Sequence, residues 1–247
     1  LHALKGSGRA PAAASADAIR ARGHSTMPER DILAVTVPGA IDAWCTANEK
    51  LGKLDFARLL QPAIHYADAG YAVSPIIAQS WKGHEALLAQ TPEASAAYLI
   101  DGQAPAAGTI HRQPDLARSL RTIAEQGRDG FYLGDIAAEI VRYSDTQGGL
   151  LTLEDFSSHS SEWVDPISSS YRGYEVFEIP PNGQGITTLM ALNILAQTDV
   201  SKLTHLGADH VHLLCEAFTL AMAERDRFIS DPAFNSLPVE HLFSNEF

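Results

Sequence analysis

The spacing of apolar positions changes twice along the chain, and each change marks an architectural boundary. Residues 1 to 15 read as the end of a strand followed by a Gly-Ser-Gly turn, and 16 to 32 as a polar helix and loop. "LAVTVPGAIDAW", 33 to 44, carries an apolar β-branched run that stops at Pro38-Gly39; a helix then runs to about Leu51, where Gly52 ends it. From 55 to 149 the spacing is helical. Phe56, Leu59, Leu60, Ala63 and Ala67 recur at three and four, with Pro62 inside the pattern predicting a kink or break. Gly70 ends that helix. Ser74-Pro75 opens the next as N-cap and first helical residue, and Pro114 and Gly127 bracket another. A further helix stops at Gly148-Gly149, and Thr152 with Asp155 approximates a capping box.

Near 163 the period shortens to two. In "YEVFEI", Tyr174, Val176 and Glu178 share one side and Glu175, Phe177 and Ile179 the other, so the stretch around Tyr171-Arg172-Gly173-Tyr174 predicts a hairpin. A helix follows at about 185 to 197. A long one at about 208 to 230 carries Leu213, Leu214, Ala217, Phe218, Ala221 and Met222 as its stripe. A helical middle, a β-rich unit and closing helices give an α+β or layered α/β class.

Composition narrows the function. Lys plus Arg total 18 against 30 Asp plus Glu, a formal charge of −12, with no basic run. Nucleic-acid binding, which needs cations to displace phosphate counterions, is excluded on that ground. Cys45 and Cys215 lie too far apart in sequence for a CxxC metal motif and read as small buried hydrophobes. No apolar run approaches the ~20 residues of a membrane span. The chain starts at Leu1 without a signal-peptide pattern and stops at "PVEHLFSNEF" without a cap, so it reads as an internal piece of a longer polypeptide.

Candidate chemistry begins with "EIPPNGQGITTLMALNIL", 178 to 195, a glycine turn feeding a helix. Helix N-termini hold anions because their first N–H groups are unpaired. A phosphate loop also needs a lysine, absent from 178 to 195, and a dinucleotide fingerprint needs three glycines where this stretch has two. The alternative is a rigid Pro-Pro stop and a turn that lets strand and helix pack closely. His205, His210 and His212 cluster, but two residues apart His210 and His212 cannot share a helix face, and HExxH is missing, so no metal site is expected. The nucleophile pattern GxSxG is absent despite Gly6-Ser7-Gly8. Thr187, Thr188 and Thr204 are internal threonines, which need a base to become nucleophiles. Arg9, just after the first strand, is the residue type whose fork matches a carboxylate.

Seven stretches, "AVTVPGAIDAW", "KLDFARLLQPAIHYADAGYAVSP", "GFYLGDIAAEIV", "GGLLTLEDF", "YRGYEVFEIPPNGQG", "LNILAQTD" and "AERDRFISDPAF", occur in an order and at separations that resemble the large-subunit segment of the gamma-glutamyltranspeptidases, the glutathione-hydrolase branch of the N-terminal-nucleophile hydrolases. The resemblance covers about residue 6 to 247. It implies a layered αββα fold of which this chain is part: 1–38 as strand and loop of the core, 39–162 as a mostly helical lobe, and 163–247 as a hairpin with helices returning to the core. It implies a self-cleaving precursor whose small subunit begins with the nucleophilic threonine. That hydroxyl attacks a gamma-glutamyl amide, its own amine acts as base, and water or an amino acid resolves the acyl-enzyme. No threonine here has the cleavage context, so the nucleophile is expected beyond Phe247, no catalytic residue is assigned to this chain, and the segment alone is expected to be inactive. The expected partners are the small subunit and a small amide; neither cofactor nor metal is implied. Members are often periplasmic or secreted, but the segment that would decide the compartment is missing.

One departure concerns specificity. Members with gamma-glutamyl activity carry Arg-Glu-x-Ala-Pro, whose arginine pairs with the substrate α-carboxylate. Aligning Ala10-Pro11 puts Ser7 at that arginine's place and Arg9 two residues later. Two steps along a strand keep the same face, displaced by roughly 7 Å of chain. Ser7 and Arg9 are therefore the candidate substrate-binding residues. "PPNGQG" likewise departs from Ser-Ser-Gly-Gly and is expected to be a scaffold turn. These differences keep a second amidase or acylase specificity open, and a non-catalytic scaffold subunit is the third alternative. Arg225 and Asp231 are expected to form a buried ion pair or cap rather than to act in catalysis.

Overall fold

The structure is a computed structural model, in which residues 1–242 are described. In chain order the elements are β1 (Ala3–Lys5), α1 (Ala16–Ala21), α2 (Ala40–Leu51), α3 (Phe56–Ala69), β2 (Tyr71–Ala72), α4 (Pro75–Leu88), α5 (Pro92–Tyr98), β3 (Ile110–His111), α6 (Pro114–Tyr132), α7 (Asp135–Thr146), α8 (Leu153–Ser157), β4 (Glu162–Val164), β5 (Ile167–Tyr171), β6 (Tyr174–Glu178), α9 (Gly185–Ala196), α10 (Ala208–Phe228) and α11 (Val239–Leu242). The class is α+β. Among the described residues the sheets are two-stranded and antiparallel, pairing β1 with β4, β2 with β3 and β5 with β6. The chain forms two compact units, Gly6–Ser160 and Leu1–Lys5 with Ser161–Phe247.

In Gly6–Ser160, helices α2, α3 and α6 surround a core that includes Val37, Ile41, Leu60, Ile64, Leu120 and Phe156. The buried face of α3 is Leu60, Ile64 and Ala67, with Phe56 half-buried, so the expected stripe is rotated: Leu59 and Ala63 are exposed. They line an open apolar groove of about 710 Å³ with Trp44, Leu51 and Leu116, because α6 covers only part of the apolar arc. Helix α3 does not end at Pro62. Pro62 and Arg58 are both exposed, so the carbonyl that loses its amide partner faces water. Gly127 does interrupt α6: its φ of 63° and ψ of −143° break the helical path, yet a further turn follows to Tyr132. Thr152 and Asp155 form the expected capping box, and Ser74 caps α4. Helix α5 was not expected; Thr91-Pro92 opens it by the same grammar as Ser74-Pro75.

In the other unit β1 and β4 pair Ala3 with Val164 and Lys5 with Glu162. The expected hairpin turns through Arg172 and Gly173, both at positive φ (51° and 85°), as a two-residue turn with right-handed strand twist requires. Helix α9 is apolar on all sides and buries Ile186, Leu189, Met190, Ala191 and Leu195. It packs on β5 and on the small-residue face of α10, where Ala217 and Ala221 are buried. Of the stripe expected on α10, Phe218 and Met222 are exposed. Cys45 is buried, but Cys215 is exposed, contrary to expectation, because it lies off the Ala217/Ala221 face that meets α9.

Candidate active site

The "PPNGQG" turn is built by packing inside its own unit. Pro181 is buried, and its carbonyl accepts from Lys5 Nζ at 3.4 Å. The Glu178 side chain lies against Gly185, the first residue of α9; a Cβ there would come within 2.4 Å of Glu178 Oε2. A carboxylate of the chain thus sits at the start of α9, where a phosphate would otherwise be drawn by the helix dipole. Arg225 Nη1 donates to Gln184 Oε1 at 2.9 Å, which ties the turn to α10. Arg225 also pairs with its neighbour Asp226 rather than with Asp231. Asp231 instead caps a turn, accepting from the Ala233 N–H at 2.9 Å. Thr187 is buried, and its Oγ1 has no hydrogen-bond partner among the described residues. His205 and His210 stand side by side with ring centroids 5.4 Å apart, but His212 faces Glu216 instead.

Ser7 and Arg9 lie in the loop after β1, which ends at Lys5, so the two-step rule along a strand has no strand to act on. Both are exposed, with Gly8 between them less so. The Arg9 guanidinium makes no ion pair among the described residues, whereas its backbone is fixed: the Val37 N–H donates to Arg9 O at 3.0 Å. Glycines make that approach possible. A Cβ on Gly8 would lie 1.5 Å from Val37 O, and one on Gly39 would lie 1.9 Å from Gly6 O. Gly6–Arg9 therefore rests directly on Val37–Gly39.

A buried polar cluster supports that rest from the other side. Gly39 precedes α2 and has no side chain to cap it, so Tyr132 reaches in from the last turn of α6. Its hydroxyl donates to Pro38 O at 2.6 Å and accepts from the Asp42 N–H at 3.2 Å. Asp42 is buried, and Arg128 Nε binds its Oδ1 at 2.5 Å. Arg128 Nη2 donates to His159 O, and the guanidinium lies 4.8 Å over the Tyr132 ring. The His159 ring stacks on Tyr132 at 5.4 Å and 24° and presses on Gly39.

Burial pushes the Tyr132 hydroxyl up to about 12, so it stays a donor. Burial lowers His159 below its ordinary value; Asp42 opposes this, Arg128 adds to it, a hydrogen bond to the Gly39 backbone opposes it, and the positive charge of Arg9 adds to it. The neutral imidazole is thus favoured, and its Nε2 is buried without a hydrogen-bond partner among the described residues. No sequence motif singles out His159, Asp42, Arg128 or Tyr132. The readable signal was Pro38-Gly39 before a helix, an N-terminus with no capping side chain of its own.

Fold and site together define an α+β chain that presents a cation from a glycine-rich loop with an anchored backbone, with no nucleophile and base paired beside it among the described residues. The model of the gamma-glutamyltranspeptidase family matches residues 1–247, and the chain belongs to that family. It is 39% identical over 243 residues to the glutathione hydrolase-like YwrD proenzyme of Bacillus subtilis strain 168, covering 98% of this chain and 46% of that protein. A solved cephalosporin acylase from Bacillus halodurans is 39% identical with a TM-score of 0.92, covering 100% of this chain and 47% of that one. The gamma-glutamyltranspeptidase of Helicobacter pylori is 29% identical with a TM-score of 0.90, over 98% of this chain and 71% of that one. The chain thus spans less than half the length of the first two. Among the described residues no helix is long and apolar enough to cross a membrane.

Proposed function

We propose that this chain is the large-subunit portion of a self-processing gamma-glutamyltransferase or glutathione hydrolase, with the nucleophilic threonine supplied by sequence beyond Phe247. In this reading the threonine hydroxyl adds to the gamma-glutamyl carbonyl while its amine takes the proton. That proton passes to the departing amine, and water or an amino acid cleaves the resulting ester. Without the threonine the segment is inactive. Arg9 receives the substrate α-carboxylate, with Ser7 beside it. The observation that carries this role is an exposed guanidinium with no ion pair among the described residues, on a backbone anchored to Val37.

A second reading, an amidohydrolase or acylase acting on another small amide, is favoured by Ser7 at the arginine place and by the likeness to a cephalosporin acylase. Full-length protein separates the two. Self-cleavage on a denaturing gel, with gamma-glutamyl anilide turnover that falls at least ~100-fold in Arg9→Ala, is expected under the first reading, as for loss of a charge-assisted bond to substrate. Equal turnover of an acyl anilide lacking the α-carboxylate would establish the second. Absence of self-cleavage would leave a scaffold subunit.

A further inference from the structure

We propose that Tyr132 and His159 are positioning residues for Arg9, and that their stack sets how strongly the enzyme discriminates in favour of substrates bearing an α-carboxylate. The proposal rests on the reading of Arg9 as the carboxylate-binding group.

Three contacts in series carry it. The Arg9 backbone cannot move independently of Val37–Gly39, because Gly8 and Gly39 bring the two backbones together with no side chain between them and the Val37 N–H holds Arg9 O. Val37–Gly39 cannot move independently of Tyr132, whose hydroxyl bridges Pro38 O and the Asp42 N–H. Tyr132 in turn is clamped between the His159 ring on one contact and the Arg128 guanidinium on another. Tyr132 and His159 are 1% and 4% exposed, so the stack has no solvent to yield into.

Charge follows the same plan. Asp42, an acidic group of this cluster, is bound by Arg128. His159 presses on the Gly39 that carries Gly6–Arg9 and is buried. The cluster therefore fixes the backbone of Arg9 and leaves its guanidinium without an ion pair among the described residues. The backbone sets where the guanidinium can reach, and a small shift of that backbone weakens a two-point ion pair more than it weakens nonspecific attraction.

The test uses the full-length self-processed enzyme and two anilides differing in one group: gamma-glutamyl 4-nitroanilide and 4-aminobutyryl 4-nitroanilide, which lacks only the α-carboxylate. Tyr132→Phe keeps the ring stack and removes both hydroxyl bonds; His159→Gln keeps a polar side chain and removes the stack. Each is expected to raise KM for the gamma-glutamyl substrate about tenfold with kcat within about twofold, and to leave the 4-aminobutyryl substrate unchanged. Equal losses on both substrates, or failure of both variants to self-cleave, would mean that the stack serves folding alone and would overturn the assignment. If Arg9→Ala removes the preference for the α-carboxylate while both variants keep it, the positioning role fails and the reading of Arg9 stands. If the wild-type enzyme shows no such preference, both fail together.

Discussion

The two compact units hold their glycine turns in different ways. In Gly6–Ser160 the Gly6–Arg9 loop is fixed through a buried polar cluster, with Asp42, Arg128, Tyr132 and His159 each holding the next. In the other unit the "PPNGQG" turn is fixed by apolar burial of Pro181 and α9, by Glu178 against Gly185, and by the half-buried Arg225 bonded to the exposed Gln184 at its edge. Buried charges that depend on one another fix position strongly and fail together. Apolar packing yields by degrees.

Three substitutions sharpen that contrast. Arg128→Ala leaves the Asp42 carboxylate buried without its cation and is expected to cost about 3–5 kcal/mol, seen as a lowered denaturation midpoint. Adding Asp42→Asn should restore part of it, and an unchanged midpoint in the single variant would remove the distinction between the units. Gly185→Ala forces the Glu178 side chain aside and is expected to cost about 1–2 kcal/mol. Glu178→Ala in the same chain should relieve most of it, and additive losses would show that the two do not meet. Arg225→Ala removes the pair between a half-buried guanidinium and the exposed Asp226, together with the bond to Gln184. It should change stability by less than about 1 kcal/mol, and a loss comparable with that of Arg128→Ala would place a second charge cluster in this unit.

Much of the local structure was legible because its determinants are adjacent in sequence. Thr152 finds Asp155 three residues on, Ser74 caps the helix that Pro75 begins, and Arg172-Gly173 fits the turn it occupies. The buried face of α3 was misplaced because its apolar arc is wider than the part α6 covers, and periodicity cannot say where a neighbour stops. Ser7 and Arg9 entered as candidates from alignment to a family pattern, which says what residue type stands where but not what fixes it. The cluster behind them was illegible for a plain reason. Arg128 is 86 residues from Asp42 and 31 from His159, and nothing in an isolated "RDGFY" announces that its arginine turns inward. Gly127 was read as a helix end, and the extra turn beyond its break is the one that carries Arg128 and Tyr132.

The borrowed cap of α2 also orders events in time. Thr152 completes its helix from within, so α8 can start as soon as it is synthesised. Helix α2 takes its cap from a hydroxyl 90 residues downstream. On a ribosome the loop bearing Arg9 therefore emerges well before Tyr132, which secures it, and His159 follows later still. The arginine of the proposed binding site is made well before the residues that set its backbone in place.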